Sequence, residues 1–152
     1  MQAQEIVTQI LKTKIPLHFT MLERDSIGYL KYEPCDGSTP KIDISANYIL
    51  IQGQLESDRF RILDIKKKRE NSFVIVICDQ HDDAPEKSSQ SEIHFRLVNK
   101  SSHLWLVEWG YSDSNRFRWI MAKDSELQLF RVIDNPCGAG KIAEKKFLEI
   151  EY

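Results

Sequence analysis

From residue 17, short hydrophobic segments rich in β-branched and aromatic residues are separated by polar, turn-forming residues. This pattern is typical of a series of β-strands. The connections between the segments contain turn-forming residues and are mostly only about two to five residues long, which suits antiparallel neighbours and leaves no room for a parallel crossover. The segments predict strands at residues 17–22, 27–33, 47–54, 58–67, 72–79, 91–99, 103–111, 116–122 and 127–133.

The two ends of the chain show a helical pattern instead. Ile6, Val7, Ile10 and Leu11 recur at the spacing of one helix face, which predicts a short amphipathic helix at the N-terminus. Residues 139–149 are rich in helix formers and predict a C-terminal helix. Both helices are expected to pack against the β-structure, since their apolar faces need cover.

The number of strands favours closure of the sheet. An open sheet of this kind leaves two unpaired edges, and an up-and-down barrel removes both. At about eight strands, the interior of a barrel holds either packed side chains or one small ligand. The predicted fold is therefore a mainly β, antiparallel up-and-down barrel with a short N-terminal helix and a C-terminal helix. With 152 residues, the chain has the size of a single domain over residues 1–152.

Residues 105–130 contain all three tryptophans and several charged residues, so the register of the hairpin matters. If residues 112–115 form a tight turn, Trp109 faces Arg118, and Glu108 is left either at solvent or alone inside the barrel. A bulge or an odd-length loop shifts the pairing by one residue, and Glu108 and Arg118 can then form an ion pair. Surface positions are favoured, because alternating strands usually place their charges outside.

The segment "HLWLVEWGYSDSNRFRWIMAKDSELQLFRVIDNP" at residues 103–136 resembles the late strands of lipocalins. In that family an aromatic-rich strand, a short turn with aspartate and a second aromatic strand precede a strand that ends in arginine, and Arg131 is similar to this closing arginine. The G-x-W of the family's first strand is replaced by Gly28-x-Leu30, and the R-x-Y of its fatty-acid-binding relatives by Arg131-x-Ile133. The resemblance implies a calycin-like barrel without specifying a ligand.

Composition and charge restrict the function and the compartment. The formal net charge of −2 gives no overall field that would attract nucleic acid or anionic lipid. The longest apolar run, residues 73–78, is far shorter than the roughly 20 residues of a membrane-spanning helix. The N-terminal residues lack the pattern of a secretory leader, and the three cysteines form no C-x-x-C pair. We therefore expect a cytoplasmic protein with free thiols.

Three motifs could carry chemistry, and each has a simpler interpretation. The D-x-H-D-D motif at residues 79–83 has possible metal ligands, but its polar surroundings favour a solvated loop, so no metal site is predicted. Residues 135–145 are similar to a phosphate-binding loop, but Ile142 stands where serine or threonine is needed. The basic run at 66–69 and "RFRW" at 116–119 could form a platform for single-stranded nucleic acid, although an exposed hairpin corner is favoured.

Two functional hypotheses remain. In the first, the protein is a non-enzymatic binding protein that holds a small hydrophobic ligand inside the barrel. In the second, it is a protein–protein interaction module, such as an inhibitor, immunity or adaptor protein, with a filled barrel. An enzyme is less favoured, since no nucleophile, base and orienting group can be assembled, and the sequence identifies no cofactor. For the first hypothesis, the candidate apolar lining is Phe95, Trp105, Trp109, Trp119, Met121 and Phe130, and the candidate polar groups are Glu108, Arg118 and Arg131.

Overall fold

The structure is a computed structural model that describes residues 17–35, 38–53, 55–84, 86, 89–110 and 116–134. The predicted terminal helices lie outside these residues. Within them, no helix is long or apolar enough to cross a membrane. The described strands are β1 (His18–Met21), β2 (Glu23–Arg24), β3 (Tyr29–Glu33), β4 (Lys41–Ile44), β5 (Tyr48–Gln52), β6 (Ser57–Arg69), β7 (Ser72–Asp79), β8 (Ser91–Asn99), β9 (Leu104–Gly110), β10 (Arg116–Lys123) and β11 (Arg131–Asp134), and a 3-10 helix spans Asp124–Leu129.

Eight strands form a closed antiparallel barrel. Their order is β1-β10-β9-β8-β7-β6-β5-β4, and β1 also pairs with β4, so the sheet has no free edge. From β4 to β10 each strand lies beside its neighbour in sequence, and the closure brings Phe19 of β1 opposite Lys123 of β10. The predicted closed, mainly β, antiparallel barrel is therefore confirmed.

Alternation along the strands directs one set of side chains into the barrel. In β6 the alternation shifts at a bulge between Ile62 and Asp64, so that both Ile62 and Ile65 reach the interior. The result is one continuous apolar core, in which hydrogen-bonded backbone groups lie in the wall and hydrocarbon fills the inside. Its buried members are Phe19, Ile42, Ile44, Ile49, Ile62, Ile65, Phe73, Ile75, Ile77, Ile93, Phe95, Trp105, Val107 and Met121.

Part of the strand prediction is wrong. Strand β4, Lys41–Ile44, belongs to the barrel but was not predicted, because only four residues separate the turn before it from the turn after it. Strand β3 was predicted as a barrel strand, whereas it lies in a separate three-stranded sheet of order β11-β3-β2, in which β3 and β11 are parallel.

The predicted strand at 127–133 is also only partly correct. Its first half belongs to the 3-10 helix Asp124–Leu129, and only β11 is extended. The hydroxyl of Thr20, which is fully buried, donates a hydrogen bond of 2.6 Å to Asp124. The Nδ1 atom of His103 lies 2.6 Å from Glu126. These side chains hold the helix against the neighbouring strands, so the chain leaves the barrel after β10.

The cysteines differ from one another. Cys78 is a free thiol buried in β7, as predicted. Cys35 is disulfide-bonded, so the prediction of a free thiol is wrong for this residue. Cys137 lies outside the described residues. The spacing along the sequence could not reveal this bond, because disulfide partners need closeness in space rather than in sequence.

Candidate functional site

One end of the barrel interior is filled by an aromatic group that we call the inner cluster: Phe19, Phe73, Phe95 and Trp105. Phe73 and Phe95 are stacked with ring centroids 4.6 Å apart, and Phe19 lies 5.1 Å from Phe95. Trp105 meets Phe19 in a T-shaped contact at 5.5 Å. All four residues are at most 4% exposed. Rings at these separations leave no space for a ligand between them, so this part of the interior is packed.

A second aromatic group, the aromatic mouth, lies at the opposite end, where β7 and β9 finish and β8 and β10 begin. It consists of Phe60, Trp109, Phe117 and Trp119. Phe117 and Trp119 are stacked at 5.6 Å, and Trp109 lies 5.8 Å from Phe117 and 5.1 Å from Phe60. Phe117 is 41% exposed, and the other three rings are partly buried against the core. The aromatic mouth therefore presents apolar surface to solvent.

The ring of Trp109 is fixed in orientation. Its Nε1 atom donates a hydrogen bond of 3.0 Å to the hydroxyl of Ser91 at the start of β8, and Ile93 is its cross-strand neighbour. A partly exposed indole with its polar atom bound to the protein can offer its apolar faces to another molecule, because no hydrogen bond must be broken on contact.

The hairpin between β9 and β10 has the second of the two predicted registers. Phe117 pairs with Trp109, and Arg118 pairs with Glu108. The guanidinium of Arg118 donates a hydrogen bond of 3.1 Å to the Glu108 carboxylate, and both side chains are well exposed on the outer face. The interior positions considered for Glu108 and Arg118 as polar groups of a ligand cavity are therefore wrong. Alternation places them outside because Trp109 and Trp119 point inward.

An open depression of about 910 Å³ lies on the outer face of β8, β9 and β10, and we call it the outer groove. Its wall includes the ion pairs Glu108–Arg118 and Glu92–His94, the second at 3.3 Å. Trp109 and Phe117 of the aromatic mouth also border it. The groove and the mouth are thus continuous. Its lining residues are Ser72, Gln90, Ser91, Glu92, His94, Phe95, Arg96, Leu106, Glu108, Trp109, Gly110, Phe117 and Arg118.

Arg131 has a different role from the one considered for it. It lies in β11, outside the barrel, and donates two hydrogen bonds, of 2.8 and 2.6 Å, to the carboxylate of Asp25. Asp25 also accepts hydrogen bonds from the backbone amides of Ile27 and Gly28. The hydrogen bond from Arg131 holds the pKa of Asp25 well below its usual range, with smaller contributions from the two amides, while burial acts in the opposite direction. This carboxylate fixes the turn between β2 and β3, in which Gly28 has a φ of 156°.

The structure divides the predicted site residues into four groups. Phe95, Trp105 and Met121 are buried inside the barrel, and Trp109 and Trp119 lie in the aromatic mouth. Glu108 and Arg118 lie on the outer wall. Phe130 and Arg131 follow the 3-10 helix and are not on barrel strands, so the prediction that they line the barrel is wrong.

Sequence reasoning did not select two members of the aromatic mouth, Phe60 and Phe117. Both have the alternation of interior residues: Phe117 is two positions before Trp119, and Phe60 is two positions before Ile62. Counting by two from the tryptophans would have found Phe117. Phe60 could not be found in this way, because the sequence does not show that β6 brings this ring into contact with Trp109.

The polar loop after β7 is held by its own hydrogen bonds. Asp79 accepts a hydrogen bond from the backbone amide of His81 at 2.8 Å, and Asp82 accepts one from Ser89 at 3.2 Å. In the part of the chain that the structure describes, no group of three or more His, Cys, Asp or Glu side chains is arranged to hold a metal ion.

Comparison with known proteins adds no further assignment. No protein-family model, curated protein or solved structure gives a significant match to the chain. The arguments on function therefore depend on the geometry of the barrel and its two aromatic groups.

Proposed function

We propose that the protein is a non-enzymatic binding protein that holds a small hydrophobic molecule at the aromatic mouth. The observation that supports this proposal is the set of four rings in mutual contact at one end of the barrel, of which Phe117 is 41% exposed. Apolar surface grouped in this way favours contact with another apolar molecule, because the contact removes the surface from water.

The proposed position differs from a site deep in the barrel. The inner cluster occupies the far half of the interior, with Phe73 stacked on Phe95 at 4.6 Å, so a ligand would have to displace packed rings to enter it. At the aromatic mouth the rings already contact one another, and Trp109 is held by Ser91. Binding there costs little reorganisation.

The contribution of Phe117 to the binding free energy follows from its exposed surface. A phenylalanine presents roughly 200 Å² when fully exposed, so its exposed fraction of 41% corresponds to about 80 Å². Covering this area contributes about 2 kcal/mol at 25 cal/mol per Å². Removing the ring should therefore weaken binding by as much as roughly 30-fold.

Quenching of tryptophan fluorescence by a panel of uncharged apolar probes tests the proposal. Trp109 and Trp119 lie in the aromatic mouth, and Trp105 lies in the inner cluster, so the variant Trp105→Phe should retain most of the ligand-dependent signal. Phe117→Ala should lose affinity. The matched control is Val98→Ala, because Val98 is 40% exposed but stands near the end of β8, away from the mouth. A flat response across the panel in the wild type would refute the proposal.

The second candidate, a protein–protein interaction module, is favoured by the outer groove. There the Glu108–Arg118 pair stands beside Phe117, and an exposed aromatic ring next to an arginine is a common anchor of protein interfaces. The packed inner cluster agrees with the filled barrel of this hypothesis. Native mass spectrometry of the protein isolated from its own host separates the two: a retained small molecule supports the first function, and a stoichiometric protein partner supports the second.

Family and location remain part of the proposal. The closed eight-stranded barrel is consistent with a calycin-like fold, but no family model or relative matches the chain, so membership of the lipocalins stays a prediction. The cytoplasmic location also stays a prediction. The disulfide at Cys35 argues against it, because disulfides are rare in the cytosol.

A further inference from the structure

Two arginines and a serine form a row across the outer face of the barrel. Arg69 of β6 pairs with Ser72 of β7, and Ser72 pairs with Arg96 of β8. Directly paired residues of antiparallel strands point to the same side of the sheet, and Ser72 and Arg96 line the outer groove. All three side chains therefore project outward, with the serine between the two arginines.

No acidic side chain of the described residues forms an ion pair with either arginine. Of the nearby acids, Glu70 pairs with Lys100 at 3.9 Å and Glu92 pairs with His94 at 3.3 Å. Among the described residues, neither Arg69 nor Arg96 forms a side-chain ion pair or hydrogen bond, and both are exposed.

Lys66 adds to the positive charge of this surface. It is exposed and pairs with Val74 in the next outward-facing row. Within the described ranges, the outer face where β6 and β8 end and β7 begins therefore carries three exposed basic side chains that form no ion pair, although the net charge of the chain is −2.

The spacing of the row suits one tetrahedral anion. Neighbouring strands lie about 4.8 Å apart, so the Cα atoms of Arg69 and Arg96 are separated by roughly 10 Å. Side chains of this length can converge over the serine between them, where each planar guanidinium can donate two hydrogen bonds and the hydroxyl of Ser72 a further one. Carboxylate offers two acceptor oxygens, whereas a phosphoryl group offers three or more and can use all three donors.

We propose that Arg69, Ser72 and Arg96 form a binding site for the phosphoryl group of a small molecule. Ser72 and Arg96 of this site line the same groove that borders Trp109 and Phe117, so a phosphate ester with an apolar tail could contact both the site and the aromatic mouth. The phosphoryl site does not depend on the aromatic mouth, since a phosphate ion has no apolar part.

Isothermal titration calorimetry with inorganic phosphate, at an ionic strength held constant with chloride, tests the site. The wild type should bind phosphate, and Arg69→Gln and Arg96→Gln should each weaken binding by about fivefold, as expected for an exposed ion pair. Arg96→Lys keeps the charge but loses the planar donor pair, so its affinity should fall between those of Arg96→Gln and the wild type.

The control is Arg59→Gln. Arg59 is an exposed arginine of the same strand β6, but it stacks over Tyr48 at 5.4 Å and lies away from the row. This variant should bind phosphate like the wild type. If Arg59→Gln and Arg96→Gln weakened phosphate binding equally, the effect would come from the overall charge of the protein, and the proposal would be overturned.

Octyl phosphate, titrated below its micelle concentration, distinguishes the two sources of the phosphoryl group. Tighter binding of octyl phosphate than of inorganic phosphate supports a phosphate ester as the ligand, and equal or weaker binding supports the free ion. If neither compound binds to the wild type, the phosphoryl site is refuted. Phe117→Ala should weaken octyl phosphate alone, so failure of the aromatic mouth would be seen separately from failure of the site.

Discussion

The packed state of the barrel interior can be tested by truncating Phe95. This ring is fully buried and stacks on Phe73 at 4.6 Å, with Phe19 at 5.1 Å on another side. In Phe95→Ala the ring is removed, and its neighbours can close the space only by leaving their own packed positions in the core. The variant therefore measures how completely the inner cluster fills the barrel.

The expected loss of stability in Phe95→Ala is large. A phenylalanine buries roughly 200 Å², which corresponds to about 5 kcal/mol at 25 cal/mol per Å². Alanine retains part of this contribution, but the cavity left by the ring adds a further cost. Truncations of this kind lower the free energy of unfolding by about 3–5 kcal/mol. Phe95→Leu keeps most of the volume and should cost less than about 2 kcal/mol.

Urea unfolding followed by tryptophan fluorescence gives the measurement. With a dependence of about 2 kcal/mol per molar urea, the midpoint of Phe95→Ala should fall by about 2 M. The cavity in this variant should accept benzene, as other engineered apolar cavities do, so benzene should raise its thermal midpoint but not that of the wild type. A loss below about 1 kcal/mol, together with stabilisation of the wild type by benzene, would refute the packed interior.

Two further predictions concern the charged pairs. A double-mutant cycle on Glu108 and Arg118 should give a coupling free energy of about 0.2–1 kcal/mol that falls further in 1 M salt, because the pair is exposed; a coupling that is larger and independent of salt would contradict its surface position. Asp25→Asn should lower the free energy of unfolding at pH 7, and its difference from the wild type should shrink below about pH 4. The pKa of Asp25 is lowered in the folded protein, so the stabilisation by its contact with Arg131 is complete above the unfolded pKa and is lost on acidification. A difference that stays constant down to pH 2 in acid titrations would contradict this assignment.

The barrel itself could be predicted because several strands of its wall carry an alternation of inner and outer residues. In β8, β9 and β10, the residues that share one face in sequence also share the interior in the structure, as Phe95, Trp105 and Met121 show. Short connections between these strands restrict them to antiparallel pairing. Closure then followed from the number of strands and the cost of free edges.

The errors lie where the alternation does not determine the structure. Leu127 and Leu129 are two positions apart, which suggests a strand, but both fall in the 3-10 helix, and Leu129 is 57% exposed. The helix is held by contacts from distant residues, such as Thr20 to Asp124, and no local pattern reveals these. Tertiary contacts therefore overrode a weak local preference.

The hairpin of β9 and β10 shows a different limit. Two registers were consistent with the sequence, and they differed by one residue in the loop between Gly110 and Arg116. The observed register brings Phe117 opposite Trp109 and Arg118 opposite Glu108. It places Trp109, Phe117 and Trp119 on the inner face and the Glu108–Arg118 pair on the outer face, whereas the alternative would place an arginine opposite a tryptophan. Side-chain burial selects the register, and turn residues alone do not.

The two ends of the barrel are therefore suited to different tasks. The inner cluster resembles an ordinary protein core, in which Phe95 has contacts on several sides and gains nothing from a ligand. The aromatic mouth has the same residue types but leaves Phe117 open to solvent, although a polar residue at this position would remove the unfavourable apolar exposure. Since the wall of the barrel and the Ser91 hydrogen bond already hold Trp109 in place, an apolar ligand would meet a preformed surface. Affinity then depends mainly on the area that the ligand covers, which is why the proposed binding should respond to Phe117 and not to Val98.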